Sequence, residues 1–171
     1  MPSAALQAGA HLQPGKTDFE RRVVLCGSMT FVREMDEIAR RLHAAGVHAV
    51  TPRDLDVAAE YRNQDDYAQF KRSVSRAHIS KVRDPRTLGI LVANYDKHGV
   101  PSYIGPNTFA EIAIAFADRK RIFLLNGMPK TYSDELLAWG AEDLRGDLRP
   151  LTQEYLQVCV RDRPQFKLPW S

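Results

Sequence analysis

Cysteine is scarce in this chain of 171 residues: Cys26 and Cys159 are the two, far apart and with no closely spaced partner thiol. That excludes a disulfide framework and the ligand spacing of a zinc finger, and it fits a reducing compartment. Long apolar runs are also missing, none approaching the roughly 18 residues that a membrane-spanning helix needs. The opening segment, MPSAALQAGAHLQPGKTDFE, has neither the basic start nor the continuous apolar stretch of a signal peptide. It reads as a flexible leader over residues 1–18, and a cytoplasmic setting is expected. Charge of one sign is not in excess either: 24 Lys and Arg stand against 21 Asp and Glu, net +3, and the basic residues are scattered. The electrostatic footprint of a nucleic-acid binder is therefore absent, and neither nucleic acid nor membrane is an expected partner. No internal repeat or low-complexity block stands out.

A hydrophobic fraction of 44% with 26% charged residues is ordinary for a globular protein, and the length suits one domain, placed here at 19–160 with a polar tail at 161–171. RVVLC (22–26) reads as a buried strand ending in a tight turn at Gly27-Ser28. Phe31, Met35, Ile38, Leu42 and Ala45 recur every three or four residues, one face of an amphipathic helix stopped by Gly46. Val47 to Thr51 predicts a second strand closed by Pro52. A polar stretch follows, and then a charged helix from about Asp66 to Val82. TLGILVAN (87–94) has the continuous apolar character of a central parallel strand. After a loop from Tyr95 to Asn107 comes another helix, then RIFLL (121–125) as a fourth strand. A helix over Ser133 to Trp139 and an extended piece near Leu148 to Leu151 complete the pattern.

Strand and helix alternate four or five times. That predicts an α/β fold of three layers, a flavodoxin- or Rossmann-like parallel sheet of four to five strands flanked by helices. Ligands of such sheets bind beyond the carboxyl ends of the strands. The residues to weigh are thus Gly27-Ser28-Met29, Pro52-Arg53-Asp54, Asn94-Tyr95-Asp96 and Asn126-Gly127.

Gly27 to Thr30 offers amides and hydroxyls for a phosphate or a ribose, or simply a helix cap. Neither a GxGxxG nor a GxxxxGK[ST] pattern is present. In IGPNTFAEIAIAFA (104–117) the single charge is Glu111, expected in the first helical turn. A carboxylate in apolar surroundings needs a partner or a use. Two readings stand: a catalytic carboxylate, or the last residue of a capping box, Thr108-x-x-Glu111. Asp96 is either a turn residue or a sugar ligand and general acid. His98 reads as a solvated loop histidine, and His43 and His48 as structural. His78, with Arg72, Arg76 and Lys81, lies on a basic helix face that is either a phosphate contact or solvated surface.

Taken together, VVLCGSM (23–29), LGILVAN (88–94) and NTFAEIAIAFADRKRIFLLN (107–126) resemble the nucleoside 2-deoxyribosyltransferase-like superfamily, of which this chain would be a divergent member. LLAWG (136–140) is similar to that superfamily's late helix. The resemblance implies cleavage or transfer at the N-glycosidic bond of a nucleoside or nucleoside 5′-monophosphate, with Glu111 as nucleophile at the anomeric carbon. It also implies a homodimer or higher homo-oligomer, and no cofactor or metal. Where the superfamily's transferases place a sugar-binding aspartate ahead of the glutamate, this chain has Gly105; Asn107 or Asp96 would take that part. The expected site is therefore Glu111 and Asp96 as catalytic groups, with Gly27, Ser28, Met29, Asn94, Gly105, Asn107 and Asn126 around the substrate. A non-catalytic nucleotide sensor on the same scaffold is the alternative.

Overall fold

The computed structural model describes residues 21–52 and 64–162. The expected leader, Arg53 and Asp54, and the tail beyond residue 162 lie outside the described residues. Five strands form one parallel sheet: β1 (Arg22–Cys26), β2 (Ala49–Val50), β3 (Thr87–Val92), β4 (Arg121–Leu124) and β5 (Glu142–Asp143), in the order β2-β1-β3-β4-β5. The helices are α1 (Val32–Ala44), α2 (Gln64–Arg83), α3 (Pro106–Ala117), α4 (Ser133–Ala138) and α5 (Arg149–Arg161), with a 3₁₀ turn at Met29–Phe31 before α1. The three-layer α/β reading holds.

Strand parity sorts the core into two layers, because successive side chains leave a strand on opposite faces. Val23, Leu25, Leu91 and Phe123 pack with Met35, Ile38 and Leu42 of α1 and with Leu151 and Tyr155 of α5. Val24, Cys26, Ile90, Val92, Ile122 and Leu124 face the other way, onto Val82 of α2, Ile112 and Ala115 of α3, and Leu136 of α4. Each fully buried aliphatic side chain contributes roughly 1.5–3 kcal/mol. The β3–β4 pair approaches closely at Gly89, where a Cβ would stand 2.6 Å from the Arg121 carbonyl oxygen.

Two expectations are corrected. The segment Leu148 to Leu151 is not extended: Pro150 occupies the first turn of α5, where a proline needs no amide hydrogen, and Leu151 and Tyr155 bury the same helical face. The fifth strand is instead the pair Glu142–Asp143, which joins the sheet edge although neither residue favours a strand. Among the described residues no helix is long and apolar enough to cross a membrane.

The chain leaves β1 toward β2 and returns on the other side of β1 as β3. That reversal opens a crevice beyond the carboxyl ends of β1 and β3, the usual ligand position in open parallel sheets.

Candidate active site

Three elements deliver one residue each to that crevice. Cys26 is the last residue of β1, and its parity turns the thiol toward α2 and α3. His78 is one of two buried residues of α2, 5% exposed. Glu111 sits on α3, its side chain 16% exposed. The Cys26 Sγ lies 3.5 Å from His78 Nε2, which lies 3.7 Å from Glu111 Oε1. The Cys26 thiol and the Glu111 carboxylate also lie close enough for each to act on the other's pKa.

The capping-box reading of Glu111 does not hold. Helix α3 begins at Pro106 with Gly105 as N-cap, so Thr108 is already its third residue and buried, and Glu111 is its sixth. Proline starts the helix because its fixed φ suits the first turn and its missing N–H would be unpaired there anyway. Glu111 therefore stands in the second turn, beyond the short reach of the helix terminus. Burial dominates and raises its pKa from 4.5 to about 7, against a smaller lowering by the Cys26 thiol. Burial also lowers His78 from 6.5 to about 4, helped by the nearby Lys81 charge, and pushes the Cys26 thiol well up, with Glu111 adding to the rise. At neutral pH the cluster thus holds a neutral imidazole, a thiol and a carboxyl group close to half-ionised.

Above the cluster opens a cavity of about 410 Å³. One wall is the turn Gly27-Ser28-Met29, another the amino end of α3 with Gly105 and Asn107, and a third the α2 stripe Tyr67, Lys71, Val74 and His78. Tyr103 closes one side, and Lys97 stands 5.3 Å from its ring centroid while donating to Ser28 Oγ at 2.8 Å. Ser28 is also the helix cap that the alternative reading named, accepting from the Thr30 amide at 3.4 Å.

Of the sequence-derived site residues, Gly27, Ser28, Met29, Gly105, Asn107 and Glu111 come together around the cavity. Asn94, Asp96 and Asn126 are not among its described lining residues. Asn94 is wholly buried, its amide donating to the Asn126 and Gly127 carbonyls at 3.1 and 2.8 Å and accepting from the Asn126 amide at 2.8 Å. Asp96 is exposed and accepts from the Ser102 amide at 2.9 Å, bracing a turn in which His98 and Gly99 both have positive φ. His43 bonds the Ala49 carbonyl at 2.9 Å, as a structural histidine should.

His78 corrects the sequence reading: it is neither solvated nor on the basic face, but buried against Cys26 and Glu111. Sequence reasoning also passed over Tyr67, Lys71, Val74 and Cys26. The spacing 67, 71, 74, 78 marks one face of α2 and could have been found by following helical periodicity through polar residues as well as apolar ones. No protein-family model matches this chain, and no curated protein matches it significantly.

Proposed function

We propose that the protein cleaves or transfers at the N-glycosidic bond of a nucleoside or nucleoside 5′-monophosphate, with Glu111 as nucleophile, in keeping with the resemblance to nucleoside 2-deoxyribosyltransferases. One observation carries the reading: Glu111 is the single carboxylate among the described residues that line the cavity, and its side chain is only 16% exposed. An ionised Glu111 oxygen attacks the anomeric carbon, the bond to the base breaks, and the base leaves with the electron pair and takes a proton. The glycosyl ester on Glu111 is then released by water, giving hydrolysis, or by a second base, giving transfer.

The walls suit such a substrate. Tyr67, Phe70 and Tyr103 offer aromatic faces for a base, Ser28, Ser75 and Asn107 offer hydrogen bonds for a sugar, and Lys71 offers a cation for a 5′-phosphate. The amino end of α3 adds to the attraction, since Gly105 provides no side-chain cap for its free amides. Assembly into a homo-oligomer belongs to the same reading; Phe116 and Leu137, 45% and 63% exposed, would be partly covered there.

A panel of nucleosides and 5′-monophosphates, followed by chromatography of free base, tests the reading beside Glu111→Ala. Base release that the substitution abolishes is expected; undiminished release would remove Glu111 from the nucleophile's role. The second reading, a nucleotide sensor, draws on Asp96: its carboxylate is engaged with Ser102, leaving no second described carboxylate in the cavity to act as an acid. Tight binding without base release from any substrate would favour it.

A further inference from the structure

The donor atoms of Cys26, His78 and Glu111 all lie within 4.8 Å of one another, although the residues are far apart in sequence and on three different elements. Two edges of that triangle measure 3.5 Å (Sγ to Nε2) and 3.7 Å (Nε2 to Oε1). A tetrahedral zinc ion, with a thiolate at about 2.3 Å and nitrogen and oxygen ligands at about 2.0–2.1 Å, sets the same edges at about 3.5 and 3.3 Å. Both measured edges are therefore close to those of a zinc tetrahedron, and the third, Sγ to the carboxylate, is no longer than 4.8 Å.

We propose that these three side chains form a binding site for Zn²⁺ or a divalent ion of similar character, with a fourth position open toward the cavity. The donor set selects the ion. A soft thiolate and an imidazole suit zinc or cobalt, whereas magnesium and calcium take oxygen ligands. Charge also balances: one thiolate and one carboxylate neutralise a 2+ ion, so the buried complex carries no net charge. On binding, the metal displaces the Cys26 thiol proton and any proton on Glu111 to solvent, and no oxidation state changes. His78 Nδ1 has no hydrogen-bond partner among the described residues, so moving the ring proton to Nδ1, which frees the Nε2 lone pair for a metal, breaks no contact there. Three protein ligands and one open position is the arrangement of an exchangeable rather than a closed structural site. One consequence rests on the proposed glycosidase reading: a metal-bound Glu111 is not free to attack, so occupancy and base release exclude each other.

The test is a titration of the chelator-treated full chain with Co²⁺, reading the thiolate-to-cobalt charge-transfer band in the near ultraviolet. One equivalent is expected. Cys26→Ser should abolish the band and Cys159→Ser should keep it, while His78→Ala and Glu111→Gln should each weaken Co²⁺ binding at least about tenfold. Absence of the band, or its persistence in a Cys26→Ser protein with native circular dichroism, overturns the site. Should Cys26→Ser fail to fold, a wild-type band indifferent to His78→Ala overturns it equally. Base release without a cobalt band removes the metal site and leaves the glycosidase reading standing; a band without base release from any substrate does the reverse. Base release unchanged by one equivalent of bound Zn²⁺ removes the mutual exclusion.

Discussion

His78 Nε2 lies 3.7 Å from Glu111 Oε1, yet at neutral pH the two do not form an ion pair. Burial lowers the imidazole to about 4 and raises the carboxyl group to about 7, so each is shifted toward its neutral form and the imidazole carries no charge for the half-ionised carboxyl group to pair with. Desolvation decides the state of the pair, and the short distance leaves the two groups sharing a site rather than neutralising one another's charge.

Under the proposed glycosidase reading, the pH dependence of base release follows from that carboxyl group. A nucleophilic Glu111 must be ionised, so base release by metal-free protein should rise with pH through about 7 and fall by about tenfold per unit well below it. Initial rates across buffers from about pH 5 to about pH 9 check this. A profile that is flat or declines through that range counts against Glu111 as the attacking group.

Stability should respond with the opposite sign. The Glu111 pKa is raised on folding from 4.5 to about 7, so the folded state holds the extra proton and loses stability as pH rises through that window. His78 is lowered from 6.5 to about 4, so its contribution is complete above 6.5 and is lost as pH falls toward 4. The two slopes oppose each other between 4.5 and 6.5. Glu111→Gln should remove one of them: relative to wild type it gains stability as pH rises, on the order of 3 kcal/mol above pH 7. Its own stability should then fall on acidification below about 6.5. Urea unfolding of both proteins at acidic and mildly alkaline pH reads the difference; equal differences at the two pH values would contradict the burial of an ionisable Glu111.

Asn94 predicts a structural phenotype instead of a catalytic one. Its amide makes three bonds to the backbone at Asn126 and Gly127 and is fully buried. Asn94→Ala should cost about 3 kcal/mol, since buried backbone groups lose their partners. Thermal unfolding measures it, and a loss of activity without a loss of stability would instead argue for substrate contact.

Gly89→Ala should be among the most damaging small substitutions. Its Cβ would stand 2.6 Å from the Arg121 carbonyl oxygen and 2.7 Å from the Arg121 Cβ, so β3 and β4 would have to separate. A loss of about 3 kcal/mol, the upper end for overpacking, is expected in denaturant unfolding. A variant as stable as wild type would show that the two strands can part at little cost.

What was legible in the sequence was the part written in apolar runs. β1, β3 and β4 are buried on both faces, so RVVLC, TLGILV and RIFL stand out without any partner in view. β5 is two acidic residues on the sheet edge, and no propensity points to it. The helix α5 was hidden by Pro150, which in the first turn starts a helix but elsewhere breaks one. Glu111 was visible as a lone charge in an apolar segment, but its depth in α3 depended on whether the helix began at Pro106 or after it. Cys26 and His78 could not be joined to it from spacing at all. Their meeting depends on which face of β1 looks toward α2, a property of tertiary packing.

That dependence on parity has a consequence for how such a site can change. Removing or adding one residue within β1 would exchange the two sides of the strand: Leu25 would meet His78 and Glu111, and Cys26 would enter the layer of α1 and α5. Both layers would still receive apolar side chains of tolerable size. The number of residues between Arg22 and Gly27 therefore sets the chemistry of the crevice as firmly as the identity of any residue in it, and a length change there would silence the thiol while leaving the fold recognisable.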